Sequence, residues 1–260
     1  MNIAIFSQHF WPENFRINEV AYELNSKNNV SVVTGLPNYP SGKIFSNYRS
    51  NKPKVSYHNN IKIIRLPIFP RYKGTAFNLM INYLSFILSG IININYIKKN
   101  MNPDIIFVYG TSPILQAIPA IIFSKIKKIP LVLWVQDLWP ESVKDTGFIK
   151  NKFLLSIINK LVTRIYKSSD KILLQSPEFS NHYNIKPFIN KCSVHFNPSE
   201  FQIFEKKKDK INKSKTFKMI YAGNLGKAQN LNFIFDLAAY SNSNNLKIKF
   251  ILIGDGSEKN

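Results

Sequence analysis

Residues 104–109 read DIIFVY and residues 130–135 read PLVLWV. Both runs are apolar at successive positions, so neither alternates like a strand with one wet face. Strands of this kind are buried on both sides, as in a parallel sheet covered by helices. Working outward, similar runs occur at Asn2–Phe6, Val30–Thr34, Ile61–Leu66 and Lys171–Gln175. Helical stretches separate them at Asn14–Ser26, Phe77–Lys99, Pro113–Ser124, Lys152–Lys167 and Pro177–Tyr183. Strand and helix taking turns predict a doubly wound α/β domain over residues 1–204.

The pattern then breaks. Glu205–Lys218 carries seven lysines and no apolar period, and residues 205–216 read as a basic linker. Beyond it, Phe217–Ala222 reads as a strand, Leu231–Tyr240 as a helix and Ile248–Ile253 as a strand. This is the start of a second Rossmann-like domain, residues 217–260. One helix and two strands cannot bury a stable sheet. The sequence stops at GDGSEKN, where a strand should turn into its next helix. The expectation is an incomplete C-terminal domain. No internal repeat is evident.

Apolar residues make up 45% of the 260 residues, enough for a substantial core. The single cysteine, Cys192, excludes an internal disulfide framework and fits a reducing compartment. The N-terminus, MNIAIFSQHF, has no basic segment followed by a long apolar stretch, so it does not read as a signal peptide. The expected location is cytoplasmic. The formal charge of +20 invites nucleic acid, an anionic membrane surface or phosphate-bearing substrates. Only five basic residues are arginine. A dedicated nucleic-acid binder exploits the arginine fork, so nucleic acid is disfavoured. Abundant lysine, asparagine and isoleucine also fit AT-rich coding. The positive surface that remains favours the inner, anionic leaflet of the cell membrane.

Phe77–Lys99 is long enough to span a bilayer. Yet Asn78, Asn82, Ser85, Ser89, Asn93 and Tyr96 recur at intervals of three or four and form one polar stripe. Asn95 lies off it and Gly90 interrupts it. A lipid-exposed span rarely carries so many amides. A half-buried helix of the domain, a helix in the membrane interface and a true span all remain open, in that order of preference.

Four segments carry candidate chemistry. Gln8–Arg16, QHFWPENFR, follows the first strand, where open α/β sheets bind ligands. It leads into a helix whose free N–H groups suit an anionic donor, and Pro12, Glu13, Asn14 and Arg16 line the expected cleft. Alternatively, Trp11 and Pro12 only pack and Glu13 favours the helix start. Thr34–Gly42, TGLPNYPSG, is a rigid turn in which Asn38 and Tyr39 suit hydrogen bonding and stacking on a sugar. Trp134–Ser142, WVQDLWPES, delivers carboxylates beside aromatics at a strand end. Asp137 and Glu141 are the expected catalytic carboxylates, with Trp139 in the cleft; the alternative for Asp137 is a turn cap. Finally, YAGNLGKAQ at 221–229 and IGDG at 253–256 each follow a strand. Gly223, Gly226, Gly254 and Gly256 would let backbone approach a diphosphate. Asn224, Lys227, Gln229 and Asp255 complete that nucleotide-binding set.

No Asp-x-Asp pair marks a site for a divalent ion, so no metal is expected. No G-x-x-x-x-G-K-[ST] marks a P-loop, and no G-x-G-x-x-G follows the first strand. Cys192 and His195 are an isolated pair, which makes zinc improbable.

Taken together, QHFWPENFRINEVAYEL, VVTGLPNYPSG, WVQDLWPES, YAGNLGKAQNL and IGDG resemble the retaining GT-B glycosyltransferases of family 4. The branch is similar to the L-fucosamine transferases of bacterial O-antigen and capsule assembly. The resemblance runs in order over nearly the whole chain. It implies two Rossmann-like domains, the first holding a lipid-linked or saccharide acceptor and the second a nucleotide sugar, with UDP the expected nucleotide. It implies no metal and no other cofactor; positive groups and helix N-termini would stabilise the departing diphosphate. Asp137 falls where the family's acceptor-side polar residue sits. Pro12–Arg16 stand where others carry a glycine-rich turn over the donor. The arginine and lysine that the family places near the start of the second domain correspond to Asn224 and Gln229. The family's Glu-x7-Glu donor segment would come after residue 260, so this chain would bind acceptor or membrane without full transfer activity. Two alternatives stay open: a sugar-nucleotide epimerase on the same architecture, and a non-catalytic basic fragment that binds membrane or nucleic acid.

Overall fold

The computed structural model describes residues 1–142, 151–198, 216–226, 229–256 and 258–259. The chain divides into two compact units, Met1–Pro198 and Ser199–Asn260. The expected linker lies outside the described residues except for Thr216.

The first unit is built on one eight-stranded sheet. Its strands are β1 (Asn2–Phe6), β2 (Asn29–Gly35), β3 (Lys54–His58), β4 (Ile61–Leu66), β5 (Ile105–Gly110), β6 (Leu131–Val135), β7 (Lys171–Leu174) and β8 (Cys192–Val194). Their order is β3-β4-β2-β1-β5-β6-β7-β8. All pairs are parallel except β3 with β4. The period of two along β1 explains the two cores. Ala4 and Phe6 face one layer, with Phe86, Phe123, Val162 and Tyr166. Ile3 and Ile5 face the other, with Phe10, Ile17 and Ala21. Helices α2 (Ala76–Ile92), α4 (Ala117–Lys127) and α5 (Lys152–Ser168) supply the first layer, and α1 (Ile17–Asn25) the second. The apolar runs that opened the sequence are therefore strands buried on both faces.

Local chemistry sets the helix ends. Thr75 accepts a hydrogen bond from Asn78 N at the start of α2, and Asn151 accepts from Phe153 N and Leu154 N at the start of α5. A Cβ on Gly90 would lie 2.7 Å from Pro119, so glycine lets α2 approach α4 closely.

The structure departs from the sequence expectations in several places. The first helix begins at Ile17 rather than Asn14, because the Asn18 side chain accepts from Trp11 N and donates to Glu13 O, holding those residues as a loop. Pro113–Ser124 becomes a 3-10 turn, Ile114–Gln116, followed by α4. Pro177–Tyr183 is a 3-10 turn over Pro177–Asn181. Phe77–Lys99 is two helices, α2 and α3 (Ile94–Asn100), bent by 62° at Asn93, whose side chain bonds back to the Ser89 carbonyl. No single described helix is long and apolar enough to cross a membrane; the bent pair reaches that length and composition only when taken together.

The second unit contains a parallel pair, β9 (Phe217–Ala222) and β10 (Ile248–Ile253), joined by α6 (Asn232–Ser243). Leu225, Leu231 and Ser241 are buried, whereas Phe217, Ile220, Phe233 and Phe235 are exposed.

Candidate functional site

The chain order places the topological switch between β1 and β5: from β1 the sheet grows one way through β2 and β4, then the other way from β5. Ligands of open α/β sheets bind beyond the carboxyl ends of the strands at this point. The loops after β1, β2, β5 and β6 meet there, and each contains a cis X–Pro bond: Trp11–Pro12, Tyr39–Pro40, Ser112–Pro113 and Trp139–Pro140.

A buried hydrogen-bond network shapes the floor. Gln8 N donates to Gln116 Oε1 and Gln8 Nε2 to Asn82 Oδ1, each at 2.7 Å. Asn82 Nδ2 continues to the Phe69 carbonyl, and Gln116 Nε2 donates to the Thr111 carbonyl. Asn82, the middle of the polar stripe, is therefore turned into the protein and fully buried.

Glu13 joins two loops. One carboxylate oxygen accepts from Asn38 N and Tyr39 N, both at 2.7 Å, and the other lies 2.7 Å from His9 Nδ1. The side chain is almost wholly buried, with three bonds already made. Asn38 is equally committed: Nδ2 donates to the Leu36 carbonyl and Oδ1 accepts from Arg71 N. Both residues thus hold the walls of the site. Trp11 stacks on His58 at 3.7 Å, and its carbonyl accepts from Arg65 Nη2 at 2.7 Å. Burial pushes the Arg65 guanidinium down to about 10, with Tyr48 and Glu13 opposing. Asn14 and Arg16 are exposed, and Arg16 pairs with Glu19.

Asp137 stands half-buried just beyond β6. Its Oδ2 accepts from Ser112 N at 2.8 Å, tying the β6 loop to the β5 loop. Burial raises its proton affinity above the ordinary carboxylate range, and the Ser112 bond offsets part of this. Tyr109 and Tyr83 lie within its electrostatic reach. Burial pushes Tyr109 up to about 12 against the nearby Arg16, and raises Tyr83 against the nearby Arg71. The result is a carboxylate, two phenols and two guanidiniums around the switch point. Acceptors and donors of this kind suit a polyhydroxylated, anionic ligand.

Tyr39 is partly exposed, under the Arg71 guanidinium at 5.2 Å. Together with Pro40, Gly42, Tyr72 and Lys73 they line a pocket of about 230 Å³. Gly42 is obligatory there: its φ is +73° and a Cβ would meet the Tyr72 carbonyl at 1.8 Å.

Trp139 and Glu141 point elsewhere. Trp139 is buried in the core and donates Nε1 to Ser112 Oγ at 2.7 Å, so it supports the β5 loop instead of offering a stacking face. Glu141 Oε2 lies 3.0 Å from His182 Nε2 and beside Tyr183, whose hydroxyl is pushed up to about 12 by burial and by that carboxylate.

In the second unit the two glycine turns are laid against each other. Gly223 N donates to the Ile253 carbonyl and Leu225 N to the Asp255 carbonyl, both at 2.9 Å. A Cβ on Gly254 would meet the Gly223 carbonyl at 1.8 Å, and one on Gly256 the Leu225 carbonyl at 2.2 Å. These glycines thus permit turn-to-turn contact. Asn224 Nδ2 donates to Gln229 Oε1, near Gly226. Asp255 pairs with Lys259, and the Gly256 N–H and that lysine hold its carboxyl below the usual range. Lys227 lies outside the described residues. Among the described residues no group of three or more His, Cys, Asp or Glu side chains is arranged to hold a metal ion.

His9, Arg71, Tyr83, Tyr109 and Ser112 were not singled out in the sequence. Two signals were available. Arg71 is one of only five arginines, and Tyr109 is the last apolar residue before the strand-ending Gly110.

No protein-family model and no curated protein matches this sequence. Solved structures match in fold. A trehalose-6-phosphate structure from E. coli bound with UDP-2-fluoro glucose has a TM-score of 0.60 at 9% identity, over 99% of this chain and 65% of that one. The alpha,alpha-trehalose-phosphate synthase (UDP-forming) from Burkholderia xenovorans, in complex with glucose-6-phosphate, gives 0.57 at 10%, over 100% and 66%. Sucrose-phosphate synthase from Thermosynechococcus elongatus gives 0.56 at 13%, over 97% and 70%. The chain thus spans about two thirds of the length of these structures. At such identity the likeness is one of architecture, and the architecture is α/β of the GT-B type.

Proposed function

We propose that this chain is a nucleotide-sugar glycosyltransferase, and that it moves a sugar from a UDP-linked donor to a lipid-linked or saccharide acceptor in surface polysaccharide synthesis. The observation that carries the reading is the switch-point site: Asp137, held by Ser112 N and raised by burial, among Tyr83, Tyr109, Arg16 and Arg71. The fold it shares with structures whose names include UDP-2-fluoro glucose and UDP-forming supports the same reading. In this proposal Asp137 accepts a hydrogen bond from the attacking acceptor hydroxyl and orients it. The hydroxyl's proton passes to the departing diphosphate as the new glycosidic bond forms on the same face of the sugar, with retention and without a metal. The glycine turns of the second unit serve the nucleotide, and the fucosamine-like donor of the resembling branch is the first to try.

The test is transfer from a panel of UDP-sugars, with Asp137→Asn as comparison. The variant should lose ~10²-fold in rate, as for other positioned catalytic groups. Because folding raises the proton affinity of Asp137, the carboxylate form is lost as pH falls through a value above the ordinary carboxylate range. The acid limb of the wild-type rate profile should sit correspondingly high and vanish in Asp137→Asn. A variant with unchanged rate and profile would remove Asp137 from the chemistry. Failure of both this chain and a version extended with a homologous C-terminal half to bind UDP or any UDP-sugar in titration calorimetry would remove the transferase reading itself.

A further inference from the structure

Helix α2 is built inside out. Its polar residues face the protein, where they are consumed: Asn82 between Gln8 and the Phe69 carbonyl, Ser85 by Phe69 N, Ser89 by Asn93. Its outer face carries Phe77, Met80, Leu84, Leu88 and Ile92, all exposed. At about 100° per residue these five fall within one third of the helix circumference, and no polar side chain interrupts them. A helix bathed in water shows the opposite pattern. Phe69 and Tyr72, in the preceding loop, are exposed as well.

The charge along this stretch of the chain is one-sided. Residues 24–103 contain eleven lysines and arginines and not one aspartate or glutamate. Lys73 before the helix and Lys98 and Lys99 after it are exposed. An apolar stripe with a lysine before it and two lysines on the helix that follows, in a stretch without counter-charge, complements a surface that is apolar below and anionic above. A leaflet containing acidic phospholipids has that chemistry. The inner side of α2 is packed on α4 at Gly90, so only the outer face is free to meet lipid.

We propose that the outer face of α2 docks this protein on an anionic bilayer, with the helix lying in the plane of the headgroups. The inference rests on the surface of α2 and not on the transferase reading. Co-sedimentation with vesicles of equal parts phosphatidylcholine and phosphatidylglycerol tests it. The protein should bind these vesicles, bind phosphatidylcholine alone at least ~10-fold more weakly, and lose affinity as salt rises. Leu84→Glu with Leu88→Glu should lower binding by ~10-fold or more. Leu84→Ser with Leu88→Ser, a milder pair, should lower it in the same direction with an unchanged thermal melt. Lys98→Glu with Lys99→Glu should cost roughly 10-fold on mixed vesicles and little on phosphatidylcholine. Absence of binding to mixed vesicles, or binding undiminished in the leucine variants, overturns the proposal. So does a concentration-dependent dimer that the leucine variants abolish, since a second copy would then cover this face.

Discussion

Strands β1 and β9 each begin a unit, and both read as short apolar strands. In β1 every residue after Asn2 is buried, while in β9 none is. The first unit surrounds its strands with helices on both faces and gains its stability from the area removed from water. Among its described residues the second has one helix against two strands, and the turns after β9 and β10 lie against each other, backbone on backbone. The same strand–turn–helix grammar thus produces a unit whose first strand is buried and a unit whose first described strand is not.

Four substitutions sharpen or break that contrast. Phe6→Ala empties a fully buried aromatic position and should cost about 4 kcal/mol in urea unfolding of the first unit. Glu13→Ala leaves Asn38 N and Tyr39 N without their acceptor and should cost about 3 kcal/mol in the same transition. Gly254→Ala forces a methyl group into the Gly223 carbonyl and should cost ~2 kcal/mol, read as faster hydrogen exchange at Gly223 and Leu225. Phe217→Ala removes an exposed ring and should change stability by less than ~0.5 kcal/mol. If Phe217→Ala proved as costly as Phe6→Ala, the second unit would have a core after all, and the contrast would collapse.

The strands that the sequence showed clearly are those whose apolar runs are long enough to be read without context, such as Asn2–Phe6, Ile61–Leu66 and Leu131–Val135. Two strands escaped because they lie at the sheet edges. β3, KVSYH, is half-wet and polar, and β8 is three residues long. Edge strands carry little hydrophobic signal. The stripe on Phe77–Lys99 was visible, but its direction was not. Which side of an amphipathic helix faces inward depends on partners such as Gln8, which lies 74 residues from Asn82 in the chain. The same holds for the site. Asp137 at a strand end was legible from position alone. That the Glu13 carboxylate is spent on the backbone of Asn38 and Tyr39, and the Asn38 amide on Leu36 and Arg71, was not, since the bond from Asn38 N to Glu13 spans 25 residues of sequence and leaves no spacing to detect.

The carboxylate of Glu13 has a consequence for anyone who would reshape this site. The loops after β1 and β2 share it, so neither is a separate module. A graft that replaces Glu13 by a residue without an acceptor leaves two backbone amides stranded in the interior, and a graft of residues 37–39 keeps the carboxylate paired only if the new loop carries its N–H groups along the same path. Recombination between relatives should therefore succeed only when the two segments travel together, like a lock and its strike plate moved to a new door.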